Sequence, residues 1–118
     1  MPMLTITSNI NDEEAQQGKD YLILTARVHP GEANSSYMME GIIDFLLCDS
    51  EEAQEIRQTL IIKVIPMSNP DGVVSGNYRT GICGNDLNRV YHNPDYRLHP
   101  TVHAIKELVA DLSELDGA

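Results

Sequence analysis

The chain has no tryptophan, a single phenylalanine and only 8 lysines and arginines. Against 18 aspartates and glutamates this leaves a net charge of -10. That balance argues against nucleic acid, whose affinity comes from Lys and Arg neutralising phosphates. It argues equally against an anionic membrane surface. No apolar run approaches the roughly 20 residues of a membrane-spanning helix, and the start lacks the basic-then-apolar pattern of a secretory signal. Cysteine is scarce. Cys48 and Cys83 fit no zinc spacing and are expected to be reduced thiols of an intracellular chain, one on a helix and one in a loop. Gly72, Gly76, Gly81 and Gly84 crowd together, but no Gly-Lys-Ser/Thr follows, which excludes a phosphate loop.

What is present is enough for one small domain. At 118 residues and 42% hydrophobic, the chain can bury a core but stands at the small end for an α/β enzyme. Residues 4–7 alternate as a short strand, and the polar stretch 9–20 reads as a loop. Residues 21–26 and 60–65 are continuous apolar runs of β-formers, suited to strands buried on both faces of a parallel sheet. Between them Met38, Met39, Ile42, Ile43, Phe45, Leu46 and Leu47 recur at helical spacing, with Asn34, Ser35 and Ser36 as N-cap choices. Asp49 and Glu52 open a second helix in the manner of a capping box, with Ala53, Ile56 and Leu60 inward. Strand, helices and strand make a βαβ unit, so both strands end on one edge of the sheet. Asn69-Pro-Asp-Gly72 reads as a turn, residues 73–97 as polar loop. A last helix begins near His99-Pro-Thr101, with Val102, Ile105, Leu108, Val109 and Leu112 inward.

The chemistry collects at that shared edge. His29 and Glu32 leave the first strand on a Pro-Gly bend, an imidazole and a carboxylate able to hold one cation. Zn²⁺ takes such ligands at about 2.0–2.2 Å and, in catalytic sites, three of them. The ordinary alternative is a turn histidine beside a glutamate that suits a helix start. Arg79, Arg89 and Arg97, three of the few basic residues, lie in the loop that follows the second strand. Asn88 and Arg89 stand side by side as a carboxylate clamp, since Arg binds carboxylates bidentately; pairing of arginines with Asp86 or Asp95 is the plainer reading. His92, His99 and His103 read as loop or helix histidines without a ligand role.

Five motifs occur together: Ala26-Arg-Val-His-Pro-Gly-Glu32, Pro66-Met-Ser-Asn-Pro-Asp-Gly-Val73, Gly76-Asn-Tyr-Arg79, Asp86-Leu-Asn-Arg89 and Leu98-His-Pro-Thr101. In this order and spacing the chain resembles the zinc metallocarboxypeptidases, and among them the cytosolic carboxypeptidases that remove glutamates from protein tails. The resemblance covers about residues 3–112. It implies an α/β fold with a mixed sheet, a parallel βαβ core and flanking helices, a truncated form of the phosphorylase/hydrolase-like carboxypeptidase fold. It implies one Zn²⁺ held by His29 and Glu32. Arg79 is then the arginine that polarises the scissile carbonyl, and Asn88 and Arg89 hold the substrate's terminal carboxylate. A cytoplasmic enzyme acting on acidic, tubulin-like C-terminal tails is the implied setting.

The family's third zinc ligand, its general-base glutamate and a substrate-covering tyrosine have no counterpart in these residues. Residues 1–118 are therefore expected to be the N-terminal half of a catalytic domain, with residues 113–118 a fraying acidic tail. Two functional readings follow: half of a zinc carboxypeptidase active site, or a catalytically inactive module that binds peptide C-terminal carboxylates or a partner protein.

Overall fold

A computed structural model describes residues 1–116 of the chain. Its sheet is built on β3 (Leu60–Ile65), whose sequence Leu-Ile-Ile-Lys-Val-Ile is rich in β-branched residues that favour the extended state. β1 (Leu4–Ile6) pairs with it antiparallel, Leu4 opposite Val64 and Ile6 opposite Ile62. β2 (Asp20–Thr25) pairs on its other side in parallel, from Asp20 opposite Leu60 to Thr25 opposite Ile65. The order is β1-β3-β2, so the sheet is mixed and the two apolar runs are parallel neighbours, as expected.

Two helices join β2 to β3: α2 (Ala33–Leu47) and α3 (Glu51–Thr59). The core unites Ile6, Ala26, Met39, Leu46, Ile62 and Val64, with Leu24, Ile43, Ile56 and Leu60 partly buried against it. Complete burial of one such side chain contributes about 1.5–3 kcal/mol.

Several sequence expectations need correction. β2 is not buried on both faces: Leu22 and Thr25 are exposed, because β2 pairs only with β3 among the described residues. The apolar positions of α2 are wider than its contact stripe. Met39 and Leu46 are buried, whereas Met38, Ile42, Phe45 and Leu47 are exposed. The cap of α2 is Glu32, with no side-chain cap bond, in place of Asn34, Ser35 or Ser36. That of α3 is Ser50, whose hydroxyl accepts from the Ala53 N–H at 3.2 Å, not Asp49. The loop 9–20 contains one short helix, α1 (Glu13–Gln16), started by Asp12. Asn69-Pro-Asp-Gly72 is not an isolated turn but the start of α4 (Pro70–Ser75). Asn69 caps it by accepting from the Gly72 N–H, and Pro70 occupies a position where no donor is needed. α5 (Pro100–Asp116) buries Val102 and Ile105 but exposes Val109. It also continues through residues 113–116, where fraying was expected; residues 117–118 of that tail lie outside the described part.

The loop region 76–99 is otherwise irregular, with one 3₁₀ turn at Leu87–Arg89. It lies against the edge where β2 and β3 end. Pairing continues past both strands: the Ala26 N–H donates to the Ile65 carbonyl at 3.0 Å, the Ser68 N–H to the Ala26 carbonyl at 2.9 Å, and the Asn69 N–H to the Arg27 carbonyl at 3.1 Å. The segments that carry His29 and Asn69 are thereby held side by side.

Candidate metal and carboxylate site

Asn69 joins three segments at this edge. Its side chain is 1% exposed in the residue as a whole, and its amide donates to the Val28 carbonyl at 3.1 Å and the Thr80 carbonyl at 3.3 Å. Its oxygen caps α4. One buried amide thus connects the turn after β2, the helix after β3 and the loop bearing Arg79. Two glycines allow the close approach. The Gly31 N–H donates to the Tyr78 carbonyl at 2.7 Å, and a Cβ on Gly31 would run into the Tyr78 ring. A Cβ on Gly72 would come within 2.5 Å of Pro30 Cγ and 2.7 Å of the Thr80 carbonyl oxygen.

His29 and Glu32 are brought together. His29 Nδ1 lies 3.1 Å from Glu32 Oε1, the histidine side chain 11% exposed and the glutamate 50%. On the far side of the ring, Nε2 lies 3.0 Å from Asp86 Oδ1. With Asp86 accepting from Nε2–H, a neutral ring presents its Nδ1 lone pair towards Glu32. Two ligands at about 2.1 Å on a tetrahedral cation stand roughly 3.4 Å apart, so the Nδ1–Oε1 pair needs a shift of a few tenths of an ångström. The donor set fits Zn²⁺ at two positions. Asp86 and Glu32 cannot serve one ion together, because they occupy opposite nitrogens of the ring. Consistently, no group of three His, Cys, Asp or Glu side chains converges on a metal position among the described residues.

Asp86 is the residue that sequence reasoning undervalued. Its side chain is 17% exposed and reaches both His29 and Arg79, whose Nε donates to Oδ2 at 2.8 Å. It also starts the 3₁₀ turn by accepting from the Asn88 N–H at 3.0 Å. Burial pushes this carboxyl up. The hydrogen bonds from His29, Asn88 and Arg79 outweigh burial and hold it below the usual aspartate value. The available signal was its place in Asp86-Leu-Asn-Arg89, two residues ahead of the clamp. The sequence does not show that it reaches across 57 residues to His29.

The pairing of Arg79 with Asp86 foreseen as the plainer reading is present, and it anchors Arg79 beside the turn that carries His29 and Glu32. Arg79 stays half exposed. Asn88 and Arg89 are exposed on the 3₁₀ turn, and among the described residues no carboxylate pairs with Arg89. Arg97 is not part of this group; its Nε donates to the Tyr96 hydroxyl at 2.7 Å. His99 is buried at the start of α5, where Nδ1 accepts from the Asp95 N–H at 3.1 Å. Asp95 accepts in turn from the Arg97 and Leu98 N–H groups, which lower its pKa. His103 pairs with Glu107 at 3.4 Å on α5. Cys48 and Cys83 are free thiols, and no described helix is long and apolar enough to cross a membrane.

Known proteins resemble the chain in sequence and fold. The chain is 47% identical over 113 residues to cytosolic carboxypeptidase 1 of Danio rerio, a match covering 92% of this chain and 10% of that protein. It is 46% identical over 104 residues to cytosolic carboxypeptidase 6 of Caenorhabditis elegans, covering 88% of this chain and 23% of that protein. The fold matches a metallo-carboxypeptidase from Burkholderia cenocepacia with a TM-score of 0.82 and 30% identity, over 92% of this chain and 29% of that one. A Pseudomonas aeruginosa metallo-carboxypeptidase, solved with (2-guanidinoethylmercapto)succinic acid, matches at 0.82 and 29% identity, over 92% of this chain and 28% of that one. The chain thus spans about a tenth to a quarter of the curated relatives compared and under a third of these solved chains. The sequence profile of the zinc carboxypeptidases matches residues 1–106, the stretch that holds His29, Glu32, Arg79, Asp86, Asn88 and Arg89, and the chain belongs to that family.

Proposed function

We propose that this chain supplies part of the active site of a zinc-dependent carboxypeptidase that removes C-terminal residues, glutamates in particular, from acidic protein tails in the cytoplasm. The observation that carries the reading is the His29 Nδ1–Glu32 Oε1 pair at 3.1 Å, with Asp86 on the opposite ring nitrogen. His29 and Glu32 would hold one Zn²⁺. Bound there, the ion supplies Lewis acidity for hydrolysis of the terminal peptide bond. The rest of the work falls to this chain's own side chains. Asp86 fixes the orientation of His29. Arg79, held by Asp86 beside the metal turn, offers its remaining guanidinium N–H groups to the oxygen that gains charge as the carbonyl is attacked. Asn88 and Arg89 receive the free carboxylate that distinguishes a chain end from an internal peptide bond.

Three considerations support the finer parts. Cytosolic carboxypeptidases are the curated relatives, which favours the cytoplasmic setting. The Pseudomonas neighbour was solved in complex with a succinic acid derivative, a dicarboxylic ligand, which favours a carboxylate-binding role here. Arg79 and Arg89 gather in an otherwise strongly acidic chain, which suits an anionic substrate end.

A second reading concerns this chain taken alone. With two ligands and no third among the described residues, it binds peptide C-termini without turning them over. The test is a glutamate-tailed peptide incubated with Zn²⁺ and the chain, followed by mass spectrometry, with a C-terminally amidated peptide as control. We expect binding of the free acid alone, weakened by Arg89→Ala, and no loss of glutamate. Stepwise loss of glutamate that vanishes in His29→Ala would refute the second reading and establish the first for this chain. No discrimination between free acid and amide would refute the carboxylate clamp.

A further inference from the structure

Arg27 stands two residues before His29 and adopts a backbone conformation that its side chain disfavours. Its φ is +54°, in the left-handed region that glycine enters freely and a bulky residue seldom does. If the chain needed only a bend at this point, glycine would provide it with less strain. The arginine side chain has a use there. Nε and Nη2 both donate to the Pro30 carbonyl, at 3.1 and 2.7 Å, and Nη1 donates to the Ser36 hydroxyl at 3.0 Å. The Arg27 backbone N–H donates to the Ser35 hydroxyl at 3.1 Å, and its carbonyl accepts from the Asn69 N–H at 3.1 Å.

These contacts have a consistent placement. Pro30 lies between His29 and Glu32 in the chain. Ser35 and Ser36 lie in the first turn of α2, the helix that Glu32 caps. The guanidinium therefore connects the peptide between the two residues to the helix that carries the second. A planar fork with fixed N–H directions holds such a distance; a single ammonium on a flexible stem does not. The left-handed backbone at Arg27 coexists with the Asn69 link, so the strain lies where the residue sets geometry.

We propose that Arg27 is a positioning residue that fixes the spacing of His29 Nδ1 and the Glu32 carboxylate for a divalent cation. The proposal rests on the reading of His29 and Glu32 as ligands, and its test separates the two. Zn²⁺ is titrated into the full chain by calorimetry, with the His29 ring followed by ¹⁵N NMR, for the parent, His29→Ala, Arg27→Lys and Arg27→Gly. His29→Ala removes the binding. Arg27→Lys and Arg27→Gly keep the amide fingerprint of the fold and bind Zn²⁺ about 10-fold more weakly, the size of effect expected when an outer-shell partner of a ligand is lost. Millimolar guanidinium restores affinity to Arg27→Gly. Binding that survives His29→Ala unchanged overturns the ligand reading and this proposal with it. Silent His29→Ala with parental affinity in both Arg27 variants overturns Arg27 alone. So does a deficit in Arg27→Gly that guanidinium leaves untouched, or loss of the fold in both Arg27 variants, since the residue would then hold the fold and not the ligand spacing.

Discussion

Residues 60–65 and residues 66–99 follow one another in the chain and keep their shape by different means. In β3, Ile62 and Val64 are 0% exposed and pack against Ile6, Met39 and Leu46. In the next segment the fully buried side chains are Ser68 and Asn69, polar groups whose partners are backbone atoms: the Ala26 carbonyl for Ser68, and Val28, Gly72 and Thr80 for Asn69. Apolar burial is non-directional, so the sheet needs the right kinds of residue in the right period. Hydrogen bonds are directional and costly when unmade, so the loop region needs particular atoms at particular places. A sheet of this kind supplies stability. The polar stitching supplies the position of His29 relative to Asp86, Arg79 and Glu32.

The largest effect should come from the core. Ile62→Ala is expected to cost about 2–5 kcal/mol in denaturant unfolding and to lower stability everywhere at once. An effect confined to the loop amides would break the comparison. Asn69→Ala comes next. It leaves the Val28 and Thr80 carbonyls and the Gly72 N–H without their partner, and should cost about 1–3 kcal/mol. Unlike Ile62→Ala it should shift the NMR signals of residues 77–81 and of His29 while the β1–β3 amides stay in place. Gly31→Ala tests the same stitching from the opposite side. The added methyl group overlaps the Tyr78 ring, so about 1–3 kcal/mol and a displaced Arg79 are expected. Unchanged stability would mean that Tyr78 moves away freely.

Asp86→Asn sharpens the contrast further, because it keeps shape and removes charge. Zn²⁺ affinity should fall about 10–100-fold as His29 loses its orienting carboxylate. The folded-state pKa of Asp86 lies below its ordinary value of about 3.9. Its contribution to stability is therefore present above that value and disappears as pH falls through the folded one. The thermal midpoint of the parent should drop more steeply on acidification below about pH 4 than that of Asp86→Asn; parallel curves would contradict the assigned hydrogen bonds. Arg89→Ala should be the mildest for the fold, within about 0.5 kcal/mol, and should still weaken a Glu-terminated peptide relative to its amide.

The sequence was most legible where a short-range rule applies. The continuous apolar runs of β-formers placed β3 at 60–65 and its parallel neighbour within one residue of its observed bounds. Helix starts were less legible. Several Ser, Asn and Asp residues compete for each cap, and Glu32, the actual cap of α2, is a poor capper whose carboxylate turns to His29. Asn69 reads as a turn former in the sequence because its propensity is the same in a turn and at an N-cap. Its second set of partners, Val28 and Thr80, comes from outside the local chain.

What the sequence determined by itself is therefore local: the strand and helix periods, the acidic charge, the bend at Pro30-Gly31, and the nearness of His29 to Glu32 three residues on. The tertiary structure decided the rest. It chose which stripe of α2 is buried and left β2 with one partner. It brought Asp86 to His29 and to Arg79, and gave Arg27 a use for its left-handed backbone. The physical reason is range. Periodicity and turn chemistry act over a few residues, whereas the contact of His29 Nε2 with Asp86 exists only after β2 and β3 have paired in parallel and delivered both loops to the same edge.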